Sequence, residues 1–116
     1  MGFENCDFLV IWEFRVSPGA ERQFEAVDGP SGAWVALFAS DPAYRGTRLV
    51  RDMSEPRRYL TFDYWASSAA YDAFRQRHVA DYLVIDRECE RLTESEKEIG
   101  RFEGVPGEGL ATLPKV

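Results

Sequence analysis

Two patterns of different period meet between residues 59 and 92, and their junction restricts the fold more than any other feature of the chain. The run Tyr59-Leu60-Thr61-Phe62-Asp63-Tyr64-Trp65 reads as a strand. It passes through Ala66-Ser67-Ser68 straight into a helical pattern. There Tyr71, Phe74, His78, Tyr82, Ile85, Cys89 and Leu92 recur at spacings of three and four residues, one face of an α-helix. A strand leading into such a helix must bury the helix's apolar face against a sheet. That face also carries the only histidine of the chain and two phenols. Polar tips on an apolar stripe are either satisfied inside a core or line a pocket.

The remaining chain supplies the rest of the sheet. Residues 8–16 read as a strand, almost continuously apolar at first and then alternating, and Ser17-Pro18-Gly19 stops it. Residues 20–27 read as a short helix with Phe24 and Val27 inward. After Asp28-Gly29-Pro30-Ser31-Gly32 a second helical piece spans 33–39, with Trp34, Leu37 and Phe38 on its apolar side. A second strand starts near Tyr44 and runs to Met53. Ser54-Glu55-Pro56 turns the chain into the strand at 59–65. Ser67 or Ser68 caps the long helix, expected to continue to about Leu92 with a kink near His78. Thr93-Glu94-Ser95 ends it, a last strand occupies 96–103, and a Gly/Pro-rich tail occupies 105–116.

This β-α-β-β-α-β order predicts an α+β, ferredoxin-like domain over residues 1–104. Four antiparallel strands carry two helices on one face. In the first strand Phe8, Val10, Trp12, Phe14 and Val16 point one way, and Leu9, Ile11, Glu13 and Arg15 the other. In the third, Leu60, Phe62 and Tyr64 oppose Tyr59, Thr61, Asp63 and Trp65. Helices cover only one side of such a sheet, so the apolar residues of the open side predict a partner, most simply a second copy in a two-fold homodimer.

Composition bounds the partners. A chain of 116 residues is one domain, and its net charge of −6 makes nucleic acid a poor partner. Arg45, Arg48, Arg51, Arg57 and Arg58 cluster in sequence, but acidic residues interrupt them and they read as a solvated rim. No apolar run is long enough to span a membrane, and the first residues lack a signal-peptide pattern. Cys6 and Cys89 lie far apart with no metal spacing, so two reduced thiols in a cytoplasmic protein are expected. No P-loop, GxGxxG, nucleophile elbow or zinc spacing appears.

The element order, together with Val16-Ser17-Pro18-Gly19-Ala20-Glu21, Gly46-Thr47-Arg48-Leu49 and the step Trp65-Ala66-Ser67 into the second helix, resembles the antibiotic biosynthesis monooxygenase family of the dimeric α+β barrel superfamily. The likeness spans roughly residues 8–104. It implies a barrel formed across a dimer and a cavity in each subunit between sheet and helices. Some members use that cavity to oxygenate polycyclic phenols without metal or flavin, others degrade haem, and many have no known activity. Trp65 matches the family's active-site tryptophan, and Tyr71 a pocket tyrosine. Thr61 stands where the quinone-forming members have an asparagine. Trp12 and Arg75 replace the asparagine and histidine of the haem-degrading branch, which argues against haem degradation.

The expected function is therefore cofactor-independent oxygenation of a small aromatic or polyketide-like molecule by dioxygen. Alternatives are a non-catalytic small-molecule-binding or stress-associated dimer, and a cyclase or isomerase. Oxygenation without a cofactor needs an electron-rich substrate, a base and a site closed to water. His78 is the candidate base, with Tyr71 and Trp65 shaping the pocket. Trp12, Trp34, Phe38, Thr61, Asp63, Phe74 and Tyr82 are candidate binding residues. The competing reading makes His78 a packed core residue and Tyr82 structural, with Asp63 and Glu13 as exposed strand-end carboxylates. Glu88, Glu90, Glu94, Glu96 and Glu98 read as a solvated helix end.

Overall fold

Alternating burial builds the sheet. The structure, a computed structural model, describes residues 8–105. β1 (Phe8–Val16) lies inside a four-stranded antiparallel sheet with β2 (Tyr44–Arg51), β3 (Arg58–Trp65) and β4 (Thr93–Glu103), in the order β2-β3-β1-β4. β1 pairs with β3 from Phe8↔Trp65 to Arg15↔Arg58, and with β4 from Phe8↔Glu103 to Val16↔Thr93. Period-two side-chain placement then puts Val10, Phe14, Tyr59, Thr61, Asp63 and Trp65 on one buried face. This is the ferredoxin-like α+β arrangement expected from the strand pattern.

All helices cover that face, but each helical layer is split. α1 (Glu21–Asp28) and α2 (Ala33–Phe38) are separated by the Gly29–Gly32 turn. α3 (Ser68–Arg77) and α4 (Val79–Glu90) replace the single long helix, with His78 between them at φ −119°, ψ 31°. The His78 amide donates to the carbonyls of both Phe74 and Arg75, so the ladder loosens there without Pro or Gly. Ser67, not Ser68, caps α3, its hydroxyl accepting from the Ala70 amide at 3.0 Å.

The last strand also differs from its expected limits. Residues 93–95 belong to β4, not to a helix end, because Thr93 and Ser95 pair with Val16 and Arg15. The acidic run is thus divided. Glu88 and Glu90 lie on α4, Glu94, Glu96 and Glu98 on β4, and a bulge near Ile11 and Trp12 resets the register.

Two aromatic clusters form the core. One gathers Phe8, Val10, Phe38, Trp65, Tyr71 and Phe74, and the other Phe14, Val16, Ala20, Phe24 and Tyr59. The arginines read as a rim are exposed or paired: Arg58 reaches Glu13 and Asp52, and Arg57 reaches Glu94. Among the described residues no helix is long and apolar enough to cross a membrane. Cys89 is a free buried thiol. Cys6 and residues 106–116 of the expected tail lie outside the described residues.

Candidate functional site

β3 brings polar groups to the buried face. Thr61 is 5% exposed and Asp63 7%. Opposite Asp63 on β2 stands Thr47, after the register shift at Gly46. The Thr47 hydroxyl donates to Asp63 Oδ1 at 2.6 Å and lies 2.5 Å from the Tyr44 hydroxyl. With its one proton given to Asp63, Thr47 accepts from Tyr44. Burial lifts the Asp63 carboxyl to about 6, against the pull of the Thr47 bond. The exposed strand-end reading of Asp63 is therefore corrected. Glu13 is on the opposite sheet face, bonded to Arg58.

A second buried carboxyl comes from the end of α1. Asp28 is 3% exposed, and its Oδ1 accepts from the Cys89 thiol at 3.2 Å. The Trp34 indole N–H donates in turn to Cys89 Sγ at 3.3 Å. Burial raises the Asp28 carboxyl to about 7; the Cys89 bond opposes the rise, while Asp63, Glu96 and Asp86 add to it. The turn that follows holds Asp28 in place. A Cβ at Gly32 would sit 2.0 Å from the Val27 carbonyl oxygen, and one at Gly29 2.4 Å from that of Glu25. Only glycine permits such close backbone approach.

These groups meet in a cavity of about 110 Å³ between sheet and helices. Trp12, Trp34, Phe38, Tyr71 and Tyr82 supply its rings, and Thr61 and Asp63 its floor. All seven were candidates from sequence. Trp65, Phe74 and His78 do not line it. Trp65 is fully buried and packs on Phe38, Tyr71 and Phe74 at centroid distances of 5.5, 5.6 and 5.1 Å. It holds the rings of the wall from behind, as does Phe74. His78 lies at the helix junction, its ring 4.3 Å from that of Phe74 and its Nδ1 3.1 Å from Asp81 Oδ2. Its side chain is 27% exposed.

The cavity also takes residues that sequence reasoning left out: Phe14, Asp28, Thr47, Arg75, Asp86 and Glu96. Arg75 lies over the rings of Tyr71 and Tyr82, at 5.4 and 5.6 Å. Burial raises both phenols and also Asp86 and Glu96. The Tyr82 hydroxyl is buried with no hydrogen-bond partner among the described residues. The helical spacing held a signal for two of these. Arg75 follows Tyr71 by four residues and Asp86 follows Tyr82 by four, so a polar stripe runs beside the apolar one. Asp28 sits at a turn and Glu96 in a run of glutamates, where no pattern marks burial.

Chemically, the site offers aromatic walls, carboxyls able to exchange a proton near neutral pH, and one guanidinium. The family model of antibiotic biosynthesis monooxygenases matches residues 7–81. A search of curated proteins found no match. Among solved structures, SnoaB from Streptomyces nogalater, a cofactor-independent oxygenase, is 22% identical with a TM-score of 0.68, covering 95% of this chain and 99% of that one. A protein from Bordetella bronchiseptica is 23% identical with a TM-score of 0.68, covering 87% and 99%. PA3566 from Pseudomonas aeruginosa is 16% identical with a TM-score of 0.61, covering 90% and 100%. At these identities the structural likeness speaks for the fold.

Proposed function

The chain belongs to the antibiotic biosynthesis monooxygenase family, and on that premise we propose that it oxygenates a small hydroxyaromatic or polyketide-like molecule with dioxygen and no cofactor. The observation that carries the reading is Asp63, a buried carboxyl lining a cavity walled by aromatic rings. The substrate is a phenol whose ionised form is carbanion-like. Asp63, ionised above about pH 6, takes its proton. Arg75, held over two phenol rings, stabilises the anion. The anion passes one electron to dioxygen, the radical pair joins as a peroxide anion, and the proton held by Asp63 returns to make the hydroperoxide. Loss of water leaves a carbonyl where a methylene stood. One oxygen atom enters the product and the other leaves as water, with all electrons drawn from the substrate. The aromatic walls keep bulk water from the radical pair.

Size limits the guest. An apolar cavity of roughly 150 Å³ holds benzene, so a cavity of about 110 Å³ has room for one ring at most without movement of its walls. Arg75 and Tyr82, both only partly buried, form the wall that must move for a fused ring system. His78 acts in this reading as a junction residue and Trp65 as the support of the wall.

The unit is a homodimer in this proposal. Leu9, Ile11, Leu60, Phe62 and Tyr64 on the helix-free face are only partly buried, and Phe102 beside them is 46% exposed. A second copy covers that apolar face, leaving one cavity in each subunit.

The test is oxygen uptake by the purified, chelator-treated protein with a panel of hydroxyanthrones, naphthols and hydroquinones. Uptake matched by a product gain of one oxygen and loss of two hydrogens is expected with at least one of them. Asp63→Asn should cut that rate by ~100-fold or more while the protein stays folded. Thermal stabilisation by the panel with background uptake would instead support a binding protein.

A further inference from the structure

The cavity is unevenly charged. Asp28 from α1, Asp86 from α4 and Glu96 from β4 line it together, joined on the sheet side by Asp63. Among the described residues none of these four forms an ion pair with lysine or arginine. Hydrogen bonds reach only Asp28, from Cys89, and Asp63, from Thr47. Among the described residues Arg75 is the single cation in the lining, and it lies over tyrosine rings with no carboxylate in ion-pair contact. Buried carboxyls without a counter-charge are costly, and a fold retains them most readily where a guest completes them.

A second observation points to a guest independently of charge. The Thr61 side chain lines the cavity within a residue only 5% exposed, and its hydroxyl has no hydrogen-bond partner among the described residues. The Tyr82 hydroxyl is likewise buried and unpartnered. Buried hydroxyls are normally satisfied, and both residues line the cavity. The surrounding Trp12, Trp34, Phe38, Tyr71 and Tyr82 rings offer faces that attract a cation. A metal ion is the poorer occupant: among the described residues no group of three or more His, Cys, Asp or Glu is arranged to hold one.

We infer that the cavity selects an aromatic molecule bearing a positively charged nitrogen, seated between the aromatic rings and the wall formed by Asp28, Asp86 and Glu96. This deepens the reading of the cavity as a substrate site and rests on it for the presence of a guest, but not on oxygenation.

Protons are linked to this occupancy. The groups facing Asp28 are Cys89 and Asp86 of α4, Glu96 of β4 and Asp63 of β3. Asp86 further feels Glu90 and Arg75. Every carboxyl in that set is held up by burial or by its acidic neighbours. Without a guest Asp28 and Asp63 take up protons as pH falls toward about 7 and about 6, and an arriving ammonium displaces those protons. Binding therefore tightens as pH rises, until the amine itself loses its proton.

Calorimetric titration of the full chain with benzylamine, benzyl alcohol and benzoate, a set matched in ring and size, separates the possibilities. At about pH 8 benzylamine should bind ~10-fold or more tightly than benzyl alcohol, with benzoate weakest. Between about pH 6 and about pH 8 its affinity should rise ~3-fold or more, with proton release detected by buffers of different ionisation heat. Asp86→Asn and Glu96→Gln, at partly exposed positions that tolerate change, should each weaken benzylamine selectively, and Asp28→Asn should also flatten the pH dependence. Equal or tighter binding of the alcohol or benzoate, no benzylamine binding at millimolar concentration, or unchanged benzylamine affinity in the Asp86 and Glu96 variants would overturn the inference. Oxygen uptake plays no part in the readout. A protein that binds benzylamine but never consumes oxygen defeats only the oxygenase reading, and turnover of a neutral phenol without amine preference defeats only this one.

Discussion

Asp28 and Asp63 are both carboxyls in a poor solvent, and the same physics that suits them to proton exchange taxes the fold. The folded chain holds their protons up to about pH 7 and about pH 6, whereas the unfolded chain releases them near the ordinary carboxylate range. Between those limits the folded state binds more protons, so stability falls as pH rises. It levels off above the folded values. The slope is at most about 1.4 kcal/mol per pH unit for each group. Melting temperature should therefore decline from pH 5 to pH 8, measured as a scan series. Asp28→Asn should melt above the parent at pH 8 and near it at pH 5, since an amide carries no charge to bury. An Asn variant less stable at every pH would show that the carboxyl is structural. His78, by contrast, was conspicuous in sequence because it was alone of its kind. Its place on the apolar stripe and a kink near it were legible, but the full helix break, which leaves the ring outside the cavity lining, was not. No Pro or Gly announces that break.

At the level of elements, legibility followed period. The two-residue alternation of β1 and β3 sorted their residues onto two faces and grouped Thr61 and Asp63 with Tyr59 and Trp65, because a sheet pleat permits no other grouping; which face the helices bury, and that Asp63 is buried with it, came from the structure. The helical stripe likewise found Tyr71 and Tyr82. What escaped was the polar stripe at Tyr71, Arg75, Tyr82 and Asp86, which shares residues with the apolar one and reads as a solvated flank. β4 was started late because Thr93-Glu94-Ser95 looks like a helix stop, and only its pairing with β1 makes it strand. The Asp28 turn had no period at all; its meaning lies in backbone proximity. This gives a sharp expectation for Gly32→Ala. The new methyl would collide with the Val27 carbonyl, so the turn must move and Asp28 with it. A loss of roughly 3 kcal/mol or more in urea unfolding is expected, larger than most single substitutions produce. A loss below about 0.5 kcal/mol would mean that the turn relaxes freely.

The whole molecule is a sheet with all its helices on one side. The apolar residues of the other side were legible from the strands alone, and no element among the described residues covers them; in the proposal a second copy does. Phe62→Asp, in the middle of that face, should convert a dimer to a monomer in sedimentation velocity, without disturbing the cavity on the other side of the sheet. A parent that already sediments as a monomer would contradict the dimer. The central claim remains that the cavity is where chemistry occurs and that Asp63 is its base. The pH dependence of turnover tests it most directly, with the parent, Asp63→Asn and His78→Ala compared on the substrate that oxygen uptake identifies. The parent rate should rise through an inflection near pH 6, and His78→Ala should keep both the inflection and most of the rate. Asp63→Asn should lose both. An inflection that survives in Asp63→Asn, or that vanishes in His78→Ala, would contradict the account.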